Sequence, residues 1–432
     1  MIVTTVIEQH AEDVMVCALR RAFAIDAGHV DLVRLARLDE LMMAHLDGLR
    51  VAGGAGLEVA LERMSADTDG SAFAPTWLSI ERKDRARLRR VLLLFGAAGR
   101  IRSEMGPALR WMVSENRAEP ESIFDADPTD EQRCLALMSF GPRQRDRSLD
   151  VLEALANPSP AVRAEAARTA GRLGLVDLLD RLSAGLADPN PLCRFWFAAS
   201  AVLLGNRGAG LDVVSKFLLE PGPLRRTAWM LAGPVLDLGR AKSLLGELAV
   251  QPGARRQLVA AIGAVGSGDY LAWLIRQMAE PAQARGAGES FSRIAGLDLA
   301  RLDLDRAPFE AFQTTPDEDA TNDDVDMNPD DGLPWPDPVA IGAWWQGNQH
   351  RFPAGQRFFM GSPPSMAGCL DVLKTGYQRQ RSAAAIWLML LRPGTPLFPV
   401  DAPVWRQRLW LEPERATHAL RSGIDPGHHV WS

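Results

Sequence analysis

Six arginines (Arg133, Arg163, Arg194, Arg225, Arg255 and Arg285) recur at intervals of 30 or 31 residues. A guanidinium is always charged and offers five donors in a fixed fork. A row of such groups could hold the carboxylates or phosphates of a ligand, or could tie down the chain's own carbonyls in a seam that repeats. The even spacing favours the second use, so the six are expected to be structural. Other reactive constellations are sparse. No Gly-x-Ser-x-Gly, Gly-Lys-Ser/Thr, His-Glu-x-x-His or Gly-x-Gly-x-x-Gly motif occurs. The seven histidines are scattered apart from His428-His429, and His45 falls on an apolar stripe where a hydrogen-bonded core role is expected. Cys17, Cys134, Cys193 and Cys369 form no Cys-x-x-Cys pair, which points to neither zinc nor a disulfide framework. Asp326, Asn328 and Asp330 alternate like the start of a calcium loop. However, glycine falls at the seventh place (Gly332) and Asp337, not glutamate, at the twelfth. No catalytic residue, metal ligand or cofactor is expected, and the chain reads as non-enzymatic.

Binding groups are easier to find. Arg82, Lys83, Arg85, Arg89 and Arg90 belong to a basic stretch. Between positions 81 and 110, nine Lys or Arg residues face three acidic ones. Such a helix face could meet phosphate or an acidic partner. A glycine- and proline-punctuated loop carries His350, Arg351 and Arg357, which could hold an anion, although Phe352, Phe358 and Phe359 could equally staple that loop into a core.

The arginines need elements to hold them at this period. The best-formed unit runs from Asn157 through Pro160, Arg163, Ala166, Ala167 and Gly171 to Gly174. The next runs from Asp188 through Pro191, Arg194, Ala198 and Ala201 to Gly205. Proline suits a first helical turn because it pre-sets φ and lacks the donor orphaned there. Asn157 and Asp188 stand where a side-chain oxygen could cap exposed amides. Alanine or glycine seven or eight places past each arginine would let helices approach closely. Glycine eleven places on can take the left-handed conformation that ends a helix. A period near 30 residues belongs to stacked helix pairs. The fold class expected is all-α, an α-solenoid of helical hairpins.

The Pro-x-x-Arg-x-x-Ala-Ala core resembles HEAT-like repeats over roughly residues 128–300. That resemblance implies a structural arginine in the seam between repeats and a concave wall built by the second helix of each pair. Arg168, Arg172, Lys242 and Arg256 are then the expected contacts on that wall. Apolar periodicity predicts further helices over 5–26, 30–52 and about 56–65, and near 338–346, 365–374 and 377–391. Four regions follow: 1–115, an N-terminal helical region; 116–305, the repeats; 306–334, an acidic disordered linker or loop; and 335–432, a helical region holding seven of the twelve tryptophans. The proline-rich tail from 393 is expected to lie across a groove of its own chain.

The run Arg37 to Leu49, followed by repeats and a Trp-Trp-x-x-Asn-x-x-Arg-Phe loop at 344–352, is similar to an uncharacterised proteobacterial HEAT-repeat (PBS-lyase HEAT-like) family. Some members of that family lie near type VI secretion genes. The resemblance implies neighbourhood more than activity. The expectation is a protein-binding scaffold or adaptor, handling or neutralising a secretion effector. The alternative is nucleic-acid binding through residues 82–110. A net charge of −6 counts against that alternative. The longest apolar runs are far short of a membrane span, and the N-terminus carries no secretory pattern, so a cytoplasmic protein with no membrane contact is expected.

Overall fold

The computed structural model describes residues 3–112, 128–141, 147–309 and 330–412. The acidic stretch 310–329 and the His428-His429 pair lie outside these residues. Contacts divide the chain into two compact units. The first comprises Met1–Asp26, Val30–Gly210 and Arg392–Ser432, the second Ala27–His29 and Leu211–Leu391. Among the described residues there is no strand. Three isolated antiparallel bridges (Ser267 with Arg357, Asp305 with Pro336, Phe359 with Ser362) are the extended pairings found there.

The first unit begins with α1 (Thr4–Ala24), α2 (Leu32–Val51), α3 (Gly54–Glu62), α4 (Phe73–Glu81), α5 (Arg85–Ala97) and α6 (Ile101–Met112). Ile7, Ala11, Val14 and Ala18 of α1 are buried and join one apolar core with α2 to α6, whereas Ala22, four residues on, is exposed. Then come α7 (Asp130–Ser139), α8 (Ser148–Ala154), α9 (Pro160–Leu173), α10 (Leu179–Ala184) and α11 (Pro191–Leu203). Here α8 pairs with α9 and α10 with α11, while α7, α9 and α11 stack as the row of second helices.

The chain continues through α12 (Ala209–Lys216), α13 (Leu224–Ala232), α14 (Leu238–Ala249), α15 (Arg255–Val265), α16 (Leu271–Gln277) and α17 (Pro281–Ala295). In the second unit α14 pairs with α15 and α16 with α17, and the second helices α13, α15 and α17 form its row. α18 (Pro338–Asn348), α19 (Met366–Thr375) and α20 (Gln378–Leu391) complete that unit, with α20 packed on α19 and against α13. Finally α21 (Val404–Leu411) packs on α2 in the first unit. The fold is all-α and solenoid-like. No helix of the described residues is long and apolar enough to cross a membrane.

Three of the six repeat arginines bond to carbonyls of their own chain in one recurring pattern. Arg163 donates to the carbonyls of Asn157 and Pro158, each at 2.9 Å. Arg194 donates to Asp188 O at 2.8 Å and Pro189 O at 3.4 Å. Arg225 donates to Leu219 O at 2.6 Å and Glu220 O at 2.9 Å. In each case the acceptors stand five and six residues back, so the guanidinium closes the turn that enters its own helix. The outer edge of the fork then reaches the next repeat: Arg163 to Asp188 at 3.0 Å, Arg225 to Gln251 at 2.9 Å. Arg255 and Arg285 depart from this pattern. The first lies 5.9 Å from the Trp273 ring, and the second stacks 4.8 Å over Trp335 while pairing with Asp331 at 2.9 Å.

The glycines follow the same period. A Cβ at Gly171 would meet Ser200 Oγ at 2.4 Å, and one at Gly263 would meet Ser290 Oγ at 2.7 Å, so α9–α11 and α15–α17 touch through bare backbone. Gly174 (φ 71°), Gly266 (φ 73°) and Gly296 (φ 75°) end α9, α15 and α17 in the left-handed region. One expectation is corrected. Asn157 and Asp188 do not cap their helices: their side chains accept from Ser159 N and Asn190 N at 2.9 Å and brace the proline turn. The cap of α11 is Asn190, which accepts from Leu192 N and Cys193 N.

Asp188 therefore carries both the turn and the preceding repeat's guanidinium. Burial alone would raise its carboxyl, but Arg163 and the Asn190 N–H outweigh that and hold it below the ordinary aspartate value. A depressed carboxylate contributes stability that is present above about pH 4 and lost as pH falls through the folded value. Asp188→Ala is expected to cost about 1–3 kcal/mol at neutral pH. It should also flatten the acid limb of the stability profile, measured by urea unfolding across pH. An acid limb unchanged in the variant would refute this role.

Candidate groove across the second helices

The row α13, α15 and α17 in the second unit encloses a groove of about 370 Å³. Its floor is small (Ala260, Ala282 and Gly286), and Trp229 and Met230 of α13 form an apolar wall. Trp229 is fixed by its indole N–H, which donates to Leu218 O at 3.0 Å. Gly286 has no packing reason to be glycine: a Cβ there would meet Val259 Cγ1 only at 3.8 Å and Asp330 Oδ2 at 3.9 Å.

Five guanidinium groups line it (Arg225, Arg226, Arg256, Arg293 and Arg379) against two carboxylates, Glu289 and Asp330. Among the described residues this is a surplus of three positive charges in a chain of net charge −6. The inner charges form an alternating chain. Arg256 pairs with Asp330 at 2.6 Å, and Asp330 lies 3.8 Å from Arg379. Arg379 pairs with Glu289 at 2.8 Å, and Glu289 lies 3.7 Å from Arg293. Asp330 and Arg379 are buried whereas Arg256 is half exposed, so the network runs from the core to the mouth. Ion pairs in such a place give direction to recognition more than they give net stability.

The expected contact residues divide. Arg256 lies in the groove. Arg168 is exposed on α9, stacked 4.8 Å over the Trp196 ring. His350 and Arg351 are exposed, and Arg351 donates to Asn348 Oδ1 at 3.2 Å. Lys242 is exposed, but it sits on α14, a first helix, and not on the second-helix row where it was expected. Two expected contacts are structural instead. Arg172 donates to Leu137 O at 2.9 Å, and burial pulls its guanidinium down to about 10. Arg357 donates to Val265 O at 3.2 Å, Gly233 O at 3.4 Å and Leu236 O, and burial also lowers it. It gathers the carbonyl ends of α13 and α15, and buried Phe352, Phe358 and Phe359 seat its loop, which is the stapling alternative.

The basic stretch is largely answered within its own unit. Arg87 pairs with Glu58 at 2.5 Å and Asp84 at 2.6 Å, Arg90 pairs with Glu58 at 3.2 Å, and Arg82 donates to Arg50 O at 3.2 Å. Glu58 and Asp84 are both held below their ordinary values, Glu58 chiefly by the Arg87 side chain and Asp84 by the Arg87 backbone N–H and then its side chain. Lys83, Arg85 and Arg89 stay exposed. A larger hollow of about 640 Å³ among α1, α3 and α4 carries Glu8, Glu12 and Glu62 against Arg63, and Arg63 already pairs with Glu8 and Glu12.

The four cysteines are buried. Burial raises all four thiols, Cys134 and Cys369 to about 12, so their thiolate fraction is minimal. His45 is half-buried, with its Nδ1 3.0 Å from His10 Nδ1 and 3.4 Å from an Asp13 oxygen. Among the described residues no cluster of three or more His, Cys, Asp or Glu is arranged to hold a metal.

Of the charged residues that line this candidate groove, the sequence analysis names Arg256 as a contact but not Arg226, Glu289, Arg293, Asp330 or Arg379. One signal was present: Arg225-Arg226 and Arg255-Arg256 repeat a doubled arginine at the structural period, and the second member of each pair faces the groove. Nothing local in the sequence points to Asp330 or Arg379.

Stacked helical pairs with a seam arginine define a solenoid-type protein. Residues 121–201 match the family model of HEAT repeats. No curated protein and no solved structure matches the chain.

Proposed function

We propose that this protein is a non-catalytic scaffold that binds another protein, with the groove across α13, α15 and α17 as its docking surface. The observation that carries this reading is the concentration of five guanidinium groups around an apolar, small-residue floor in an otherwise acidic chain. Aromatic and arginine side chains around a concave site are the usual anchors of protein recognition. The finer reading is that the partner is a bacterial secretion effector, handled or neutralised in the cytoplasm. It rests on the resemblance of residues 37–49 and 344–352. Nucleic-acid binding through 82–110 is less well supported, because carboxylates of the same unit neutralise Arg87 and Arg90.

A photo-crosslinking amino acid at Ala260, exposed on the groove floor, tests the proposal in cells that express the chain natively. The expected result is one protein adduct in near-stoichiometric yield, absent when the same probe replaces the exposed Leu149 of the first unit. No adduct at position 260, or the same adducts from both positions, would refute the groove as docking surface. Mass spectrometry of the adduct decides whether the partner is an effector.

A further inference from the structure

Two histidines 35 residues apart share one contact. His10 of α1 and His45 of α2 bring their Nδ1 atoms to 3.0 Å, with the rings edge-on at a centroid distance of 5.3 Å. At that distance one Nδ1–H donates and the other Nδ1 accepts through its lone pair. Asp13 sets the direction. Its Oδ2 lies 3.4 Å from His45 Nδ1, and its Oδ1 accepts from the Gln9 amide at 3.0 Å. The carboxylate favours the hydrogen on His45 Nδ1 and leaves His10 Nδ1 as the acceptor. The His10 ring has no room to retreat toward α2, because it lies on bare backbone: a Cβ at Gly48 would meet its Cδ2 and Nε2 at 2.6 Å. The start of α1 has little else to hold it. No side chain caps it at Val3 and no acidic residue stands in its first turn, so its hold is the packing of Ile7, Ala11 and Val14.

Among the described residues no other ion pair or hydrogen bond reaches either ring. The charged groups of the neighbouring elements are engaged elsewhere. Arg63, just after α3, pairs with Glu8 and Glu12, and Glu58 of α3 pairs with Arg87 and Arg90. Glu81 of α4 lies 3.6 Å from Arg50, which also pairs with Asp47, and Arg21 pairs with Asp39. Glu62 of α3 lines the hollow among α1, α3 and α4, which neither ring lines. On α21, Arg406 donates to Arg110 O and Trp111 O, and Arg408 is exposed.

We propose that His10 and His45 form a pH-sensitive latch between α1 and α2, which accepts one proton and is opened by a second. The first enters at His45 Nε2 and makes the N–H···N bond charge-assisted beside Asp13. The second would have to take the lone pair of His10 Nδ1, because His10 Nε2 already carries its hydrogen in that tautomer. Two N–H groups would then face each other at 3.0 Å. The His10 ring must swing out, and the N-terminal half of α1 goes with it, uncovering Ile7, Ala11 and Val14. The open form binds a proton that the closed form refuses, so the closed form loses stability as pH falls. With a free histidine value of about 6.5, that proton favours opening about tenfold at about pH 5.5 and hardly at all at about pH 7.5. The latch is independent of the groove, which lies in the second unit.

The test is amide hydrogen exchange of the full chain, read by mass spectrometry and corrected for the intrinsic pH dependence of exchange. Protection across residues 4–14 of α1 is expected to fall about tenfold between about pH 7.5 and about pH 5.5, while that of α9 and α11 stays within about twofold. His10→Phe keeps a ring over Gly48 but takes no proton, so its protection of 4–14 should be the same at both pH values. Should that variant fail to fold, His45→Gln is the second block: it removes the facing imidazole, and the pH dependence should again vanish. Unchanged protection in the wild type, or an equal fall in the variant, would overturn the proposal. A fall spread evenly over the first unit would do the same, because it would report general acid unfolding and not a local latch.

Discussion

Asp39→Ala is expected to destabilise the first unit by about 3–5 kcal/mol. Asp39 lies within the run from Arg37 to Leu49, yet its side chain is fully buried. One oxygen accepts from Arg21 Nε of α1 at 2.8 Å, and the other accepts from the Val404 N–H at the start of α21 at 2.7 Å. Arg21 in turn lies 4.5 Å over the Trp111 ring, and Trp111 meets Trp405 edge-on at 5.3 Å. The alanine variant would strand a buried guanidinium and a buried amide at once. Burial pushes the Asp39 carboxyl up, and Arg21 and the Val404 amide only partly offset it. A raised carboxyl binds its proton more readily in the fold than in the unfolded chain. Proton binding therefore stabilises the fold at low pH, and that contribution is lost as pH rises from the ordinary aspartate value through the raised one. The cost of truncation is thus the cost of leaving partners unpaired, not the value of an ion pair. Urea unfolding at neutral pH measures it. A loss under about 1 kcal/mol, or Asp39→Asn as damaging as Asp39→Ala, would show that the pin is not structural.

Gly263→Val is expected to cost the second unit about 3 kcal/mol. The nearest atoms to a Cβ there are Ser290 Oγ at 2.7 Å, Ser290 Cβ at 3.0 Å and Ser290 Cα at 3.2 Å, the last being backbone of α17. Ser290 cannot swing aside freely, because its hydroxyl donates to Val259 O at 2.9 Å. Valine adds two further methyl groups to that contact, so α15 and α17 must separate. Gly286 on α17 supplies the internal control. Gly286→Ala meets ordinary van der Waals distances and should stabilise the helix by about 0.5–1 kcal/mol through the lower backbone entropy of its unfolded chain. Calorimetric unfolding of the pair decides the matter. Were both substitutions neutral, the close approach of the second helices would not be a constraint on the fold.

The tail shows how far an expectation from composition can reach. The segment after 393 reads as proline-rich and aromatic, hence unable to continue a helix and in need of a surface. The structure supplies the surface: Leu397 N–H donates to Arg172 O at 2.8 Å, Arg110 pairs with Asp401 at 2.9 Å, and Arg406 donates to Trp111 O at 2.8 Å. The proline run makes the need legible. The particular acceptors are not, because Trp111 O lies 295 residues away in sequence from its donor. The ends of the acidic stretch behave alike. At 306–334, Arg306 N–H donates to Trp335 O at 2.8 Å and Asp330 is buried, although composition alone gives neither residue a partner.

What the sequence determined alone is whatever repeats. The arginine spacing, the proline before it, the close-contact glycine eight places on and the left-handed glycine eleven places on each express a local rule of helix entry, approach or exit. Each recurs in the structure at the positions read, Gly171, Gly174, Gly263 and Gly266 among them. Helix limits followed for the same reason: α18 to α20 begin within one residue of their expected starts. What only the tertiary structure decided is which arginines are committed to carbonyls and which meet carboxylates. Arg172 and Arg357 resemble Arg256 in sequence, yet the first two close carbonyls of the chain and the third meets Asp330, 74 residues downstream. A guanidinium's role is set by the acceptors brought to it, and acceptors brought from distant sequence leave no periodic trace.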